Sequence, residues 1–245
     1  MNSLNLDPDI WTRYKLFLDE VLNHHQGAMH SIHIVGSALT ADYDSKTSDI
    51  NSVLVLHKMN LKFLEFLAPL GKKYGKKKVA APLIMTPAYI KTSLDAFPIE
   101  FLNIKILHHT VFGEDIFQNL DIKKSDLRHQ CERELKIKLI GLRQGYISAS
   151  GDRKILTESF VDSFTGYMPL FKAILMLLGK KPPQNNDQVL TALEEASGVN
   201  TEVFKLVLTL KKERSKPAYD QLNTIFEDYY AAIEKLGGIA DALDV

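Results

Sequence analysis

Cysteine is almost missing from this chain. Cys131 stands alone, so no internal disulfide can staple the fold, and a single thiol fits a reducing compartment. Long apolar runs are missing too: the densest stretch, MPLFKAILMLLG, is broken by Lys172 and falls short of the roughly 18 residues that suggest a membrane span. The opening residues, MNSLNLDPDIW, have no basic start followed by an apolar core, so no signal peptide is expected. A cytoplasmic protein without membrane attachment is the expectation. An excess of one charge sign is also lacking. Residues 1–120 hold 12 basic and 12 acidic side chains, and residues 121–245 hold 18 of each. A dedicated nucleic-acid binder usually carries a basic surplus, so nucleic acid is not the expected partner. The local exception is KKYGKKK at 72–78, five lysines in seven positions. A solvated helix end and turn is the simpler account of it; steering of phosphates or RNA is the alternative.

What is present is the balance of a globular protein, 45% apolar and 24% charged over 245 residues, long enough for one large domain or two modest ones. The first half mixes periods. Asp7 and Pro8 open a helix whose Ile10, Tyr14, Phe17, Leu18 and Val21 share a face, and Gly27 ends it. SIHIV (31–35) reads as a short buried strand and DINSVLVLH (49–57) as a second. A helix over about 60–72 follows, with Asn60 as its cap. VAAPLIM (79–85) reads as a strand that Pro82 confines to an edge or a bulge. Thr86-Pro87 opens another helix, and IEFLNIKIL (99–107) is expected to be a further strand.

From Ser125 the period is 3.6. Leu127, Cys131, Leu135, Leu139, Leu142 and Tyr146 line one face of a helix capped by Ser125. Beyond Gly151 a longer helix carries Phe160, Phe164, Tyr167, Phe171, Ile174 and Leu178, with a kink expected at Pro169. KKPPQNN (180–186) is a break, and two or three helices finish the chain near Gly237-Gly238. The expected architecture is a mixed α/β (α+β) domain over 1–120, then an all-helical domain over 121–245. A cleft between them would receive a substrate.

The chemistry concentrates in HIVGSALTADYDSKTSDINSVLVL, residues 33–56. Gly36, with no Cβ, lets backbone amides after a buried strand approach a ligand. If Ser37 opens a short helix over 37–42, its free N–H groups and hydroxyl face a phosphate. Asp49 follows twelve residues after Ser37, and Asn51 two further on. Side chains at i and i+2 share a strand face, so both can reach one metal. Phosphoryl chemistry needs such a pair to hold Mg²⁺ against a triphosphate.

On these residues the chain resembles the DNA polymerase β-like nucleotidyltransferase superfamily. That signature is an apolar residue, Gly-Gly or Gly-Ser, a spacer of about ten, then Asp-apolar-Asp-apolar; here it is carried by Val35, Gly36, Ser37, Asp49, Ile50 and Asn51. The layout is similar to bacterial members with a helical C-terminal domain, such as aminoglycoside adenylyltransferases. The resemblance implies a mixed sheet with flanking helices. It further implies nucleotidyl transfer, adenylyl from ATP in the first place, with two Mg²⁺ (or Mn²⁺) ions and pyrophosphate release. It also implies a third carboxylate on a later strand, for which Glu100 in PIEFLNI is the match; Asn103, three residues along, would face away on a strand.

Position 51 departs from the pattern, with Asn in place of Asp or Glu. Its carbonyl still suits a hard cation, but it is neutral. At an effective dielectric of about 20, two unit charges ~4 Å apart attract by about 4 kcal/mol, so a lost anionic ligand weakens the metal site. Two functions from different classes therefore remain: transfer to a hydroxylated small-molecule acceptor, or a degenerate domain that binds nucleotide or a partner protein without turnover. The eight histidines, all between His24 and His129, have no Cys or acidic partner at zinc-ligand spacing and are read as solvent or core residues. Cys131 is read as core. Glu158 and Asp162, four apart on a helix, read as a solvated face, with a general base toward an acceptor hydroxyl as the alternative.

Overall fold

The computed structural model describes residues 6–164, 166–213 and 217–245. Helix α1 (Pro8–His25) starts where Asp7 accepts from the Asp9 N–H at 2.8 Å, and its buried face is the expected Ile10, Tyr14, Phe17, Leu18 and Val21. The strands are β1 (Met29–Val35), β2 (Asn51–Leu56), β3 (Leu83–Met85) and β4 (His108–Gly113). They form a sheet of order β3-β2-β1-β4, with β1 antiparallel to both neighbours and β2 parallel to β3. Ile32, Ile34, Leu54 and Leu56 point into a core shared with α1 and with α2 (Leu61–Gly75). Asn60 caps α2 as expected, accepting from the Lys62 N–H at 3.0 Å. β3 is the edge strand that Pro82 required; before it, Val79 makes an isolated parallel bridge to Ile50. Thr86 caps the short α3 (Pro87–Thr92) through the Tyr89 N–H.

The expected strand over 99–107 is instead a helix, α4 (Pro98–Ile106). A run with six apolar residues in nine and no clean alternation does not tell a buried strand from a buried helix, and the deciding residue precedes it. Pro98 sits at the start of α4, where its fixed φ suits a helix and its missing N–H costs nothing. The next free N–H, of Ile99, donates to Gln130 Oε1 at 2.8 Å. On a helix Glu100 and Asn103 lie on neighbouring positions of one face, the reverse of the strand reading.

By packing, the chain divides into a sheet unit, up to Asp95 plus Phe101–Asp121, and a helical unit of Ala96–Glu100 plus Ile122–Val245. In the latter, α5 (Lys124–Ala149) buries Leu127, Cys131, Leu135 and Leu142. It begins with no side-chain cap, so Ser125 lies inside its first turn rather than capping it. Pro169 does not kink a long helix: the chain breaks at Gly166 (φ 84), and α6 (Arg153–Ser163) and α7 (Tyr167–Leu177) are separate. Pro169 then falls in the first turn of α7, where a missing donor is tolerated. Helices α8 (Asn186–Ser197), α9 (Glu202–Glu213) and α10 (Tyr219–Ala242) follow, and α10 runs through Gly237-Gly238 instead of ending there. Aromatic rings dominate this core; Phe171 and Phe204 lie 4.9 Å apart by centroid, Phe204 and Tyr229 5.4 Å. Among the described residues no helix is long and apolar enough to cross a membrane.

Gln130 is buried on α5, accepting from the Ile99 N–H and donating to Glu100 Oε2 at 2.9 Å. Gln130→Ala leaves that N–H without its partner and is expected to cost about 1–3 kcal/mol in urea unfolding. Ser125→Ala, which removes no cap, is expected to stay within about 0.5 kcal/mol.

Candidate functional site

The site is built at the end of β1. Gly36 has φ +79, the left-handed region that favours glycine, and a Cβ there would meet nothing within 4 Å, so the space beside it is open. Its N–H is not free for a ligand: it donates to Leu107 O at 3.0 Å and extends the β1–β4 ladder by one step. The expected helix over 37–42 is a single 3-10 turn, Gly36–Leu39. Thr40 closes it, giving both its N–H and its hydroxyl to Ser37 O at 3.0 Å, and Thr40 Oγ1 accepts from the Asp42 N–H at 3.3 Å. Thr40 thus fixes the Gly-Ser turn, a part that sequence reasoning missed although a hydroxyl three residues on is the usual signal of such a closure.

Asn51 pairs with Val35 in the β1–β2 ladder, and Val35 pairs with His108 in the β1–β4 ladder. Cross-strand partners share a face, so Asn51, Val35 and His108 form one row across the sheet. The β1–β2 ladder ends at this pair: the 3-10 turn follows Val35 directly, and Asp49 lies two residues before Asn51. Asp49 and Asn51 are exposed, while Ser52–Leu56 of the same strand are buried. Two polar side chains at the one open end of a buried strand, where the turn begins, form the candidate site.

Lys78 completes it. Lys78 N–H donates to Gly75 O at 3.1 Å, and Lys78 O accepts from the Ile50 N–H at 2.7 Å. The residue has φ 64, left-handed in a residue with a Cβ. Its ammonium lies 3.8 Å from Asp49 Oδ1. The lysine cluster is therefore not one uniform patch. Lys73 pairs with Glu20 at 2.7 Å and, with Lys77, lies against the Tyr74 ring, whereas Lys78 faces Asp49.

Glu100 sits on the first turn of α4, in the helical unit, and binds Gln130. The strand parity that put it on one face with Asp49 does not hold. Among the described residues no three His, Cys, Asp or Glu side chains are grouped to hold a metal. The donor set at the turn, one carboxylate and one amide oxygen, fits a single Mg²⁺ whose remaining ligands come from phosphates and water, the usual way Mg²⁺ is bound. It does not fit a two-ion cage made by the protein. Glu158 is exposed and 3.9 Å from Lys154, and the side chain of Asp162 lies outside the described residues. Two hollows among the described residues, about 360 and 720 Å³, lie along α9 and α10 and contain none of these residues, while one of about 280 Å³ is lined by Ala38, Leu39 and Thr40 of the turn.

Neither the family models nor the curated proteins contain a match to this chain. Among solved structures, the chain is similar to a spectinomycin adenyltransferase from Enterococcus faecialis, solved with ATP and spectinomycin. The likeness has a TM-score of 0.51 at 13% identity, covering 92% of this chain and 98% of that one. The fold is that of a nucleotidyltransferase followed by a helical domain.

Beneath the site row the sheet buries a histidine. His33 is fully buried, with Nδ1 2.9 Å from Thr110 Oγ1 and Nε2 2.8 Å from Ser31 Oγ, and its ring lies 4.7 Å from that of Phe117. Burial first, and the nearby His108 second, lower its pKa to about 4. The unfolded chain takes up this proton near pH 6.5 and the folded chain only near 4, so stability is full above 6.5 and is lost as pH falls across that window, by about 3 kcal/mol. Urea midpoints of wild type and His33→Gln measured from pH 7 to 4 are expected to converge, the wild type showing the steeper acid loss.

Proposed function

We propose that the sheet unit binds a nucleoside triphosphate, ATP in the first place, and transfers its nucleotidyl group to a hydroxylated small-molecule acceptor. The observation that carries this reading is the β1–β2 pairing that ends at Val35 and Asn51, which brings exposed Asn51, with exposed Asp49 two residues before it, to the strand end where the Gly36-Ser37 turn begins. The fold shared with an adenyltransferase supports it. Ser37 would hold a phosphate, and Asp49 and Asn51 would hold one Mg²⁺ or Mn²⁺, which when bound neutralises phosphate charge. The acceptor oxygen forms a bond to the α-phosphorus as the bond to the bridging oxygen breaks; pyrophosphate leaves, and the hydroxyl proton passes to solvent or a base. Glu100 is left to its Gln130 contact.

Asn51 favours a second reading, a domain that binds nucleotide or a partner protein without turnover. Mg²⁺-ATP at about 100 times its Kd is expected to stabilise the fold by about 2.7 kcal/mol, read as a rise in Tm, with Ser37→Ala and Asp49→Ala each reducing the rise. Asn51→Asp is expected to raise Mn²⁺ affinity about tenfold or more, equivalent to ~1.4 kcal/mol or more. Binding without pyrophosphate release in either form selects the second reading. No shift with any of the four ribonucleoside triphosphates at millimolar concentration sinks the transfer reading and leaves only the partner-protein form of the second.

A further inference from the structure

We infer that Lys78 is a triphosphate-binding residue of this site, its ammonium supplying cation charge that Asn51 no longer helps a metal to bring; the inference rests on the nucleotide reading above. Three features lead to it. The backbone at Lys78 is left-handed (φ 64), a conformation in which glycine or asparagine is the easy choice and a lysine is strained. That backbone is pinned on both sides, its N–H to Gly75 O and its carbonyl to the Ile50 N–H, so the side chain leaves the chain beside the start of β2 and nowhere else. Its ammonium stands 3.8 Å from Asp49 Oδ1, with the two side chains 41% and 52% exposed.

An ion pair so open contributes little to stability, about 0–1 kcal/mol. The left-handed backbone closes α2, with the Lys78 N–H on Gly75 O and the Val79 N–H on Tyr74 O, a helix end that favours glycine; a lysine at that position places its ammonium beside Asp49. With Asn51 neutral, Asp49 and Lys78 cancel, and the protein's own ligands present no net charge. A metal-free triphosphate then meets an ammonium on a flexible four-carbon stem. When the nucleotide arrives with Mg²⁺, Lys78 turns from Asp49 to a phosphate oxygen and leaves the carboxylate to the ion. The other lysines of the cluster do not share this role: Lys73 is held by Glu20, and Lys77 lies on Tyr74.

The test is calorimetric titration of the full chain with ATP, in EDTA and in Mg²⁺, for wild type, Lys78→Gln, Lys78→Arg and Lys78→Gly, with Mn²⁺ alone as a separate titrant. Wild type is expected to bind ATP in EDTA, and Lys78→Gln to lose that affinity about tenfold or more, the size of one charge-assisted hydrogen bond. Lys78→Arg keeps it within a few-fold, and Mn²⁺ alone binds Lys78→Gln at least as well as wild type, because Asp49 is released. Lys78→Gly, free of the left-handed strain, melts no lower than wild type yet shares the loss, which separates binding from folding. Unchanged metal-free ATP affinity in Lys78→Gln overturns the inference, as does a loss that Lys78→Arg shares, or a wild type that binds ATP only with metal. A wild type that binds no triphosphate under either condition is a failure of the nucleotide reading itself, and the inference falls with it.

Discussion

The site depends on one ladder, the pairing of β1 with β2 on one side and β4 on the other. β1, like β2, has neighbours on both sides, and six of its seven residues are buried. Because side chains alternate with a period of two, a slip of one residue would move every face-specific group at once. Ile32 and Ile34 would leave the core against α1 and α2, and Asn51 would no longer stand in the row of Val35 and His108. The polar face helps to hold this register: His33 takes Ser31 from its own strand and Thr110 from β4, and the observed β1–β4 pairing is what sets Thr110 opposite it. Two neutral hydroxyl partners can hydrogen-bond the ring in either state but supply no counter-charge to offset burial of a protonated one, so the ring's burial appears as acid sensitivity.

The same ladder explains why the candidate site is reached from one end. β2 is buried from Ser52 onward and opens only at Asn51 and, before the strand, Asp49. The ladder also uses the Gly36 N–H, which bonds Leu107. What remains for a ligand is the turn itself, shaped by the left-handed Gly36 and closed by Thr40, with side-chain oxygens from the neighbouring strand. The result is an open ledge rather than an enclosed cavity. Its side chains are held by backbone geometry instead of by packing, which suits a substrate that brings most of its own charge and its own metal ligands.

The elements legible in the sequence were those with a local physical signal. Asp7-Pro8, Asn60 and Thr86-Pro87 marked helix starts, and the β-branched run ending in Leu56 marked β2. Pro82 placed β3 at the edge of the sheet. Where the signal was ambiguous, the reading went wrong for identifiable reasons. Residues 99–107 are apolar on both faces, so periodicity was silent, and Pro98 with the side chain of Gln130, thirty-one residues from Ile99, decided for helix. Ser125 looked like a cap because it precedes a periodic run, but the helix begins earlier at Lys124. Pro169 looked like a kink because the helix was assumed continuous, whereas Gly166 breaks it first. At the site, the spacing of Gly36, Ser37, Asp49 and Asn51 was legible because it is sequential. Thr40's closure and Lys78's approach to Asp49 depend on turn conformation and on a parallel bridge between Ile50 and Val79, which no local pattern encodes.

Asn51 takes on a different meaning once Lys78 is beside Asp49. A site with two carboxylates two residues apart on one strand face carries repulsion until a metal arrives, and that repulsion must be offset by the rest of the fold. With Asn51 and Lys78 the resting site has one anion, one cation and one neutral acceptor, so little strain is stored in the absence of ligand. The loss is in standing metal affinity, since a lone carboxylate in an open, half-exposed setting attracts Mg²⁺ weakly. On the inference above, Lys78 would bind a triphosphate without metal, and a metal-bound triphosphate would engage Lys78 and Asp49 together. The replacement of a carboxylate by an amide therefore need not mark a site in decay. If the pinned lysine binds triphosphate as inferred above, the replacement changes the order of assembly, from metal first to nucleotide first.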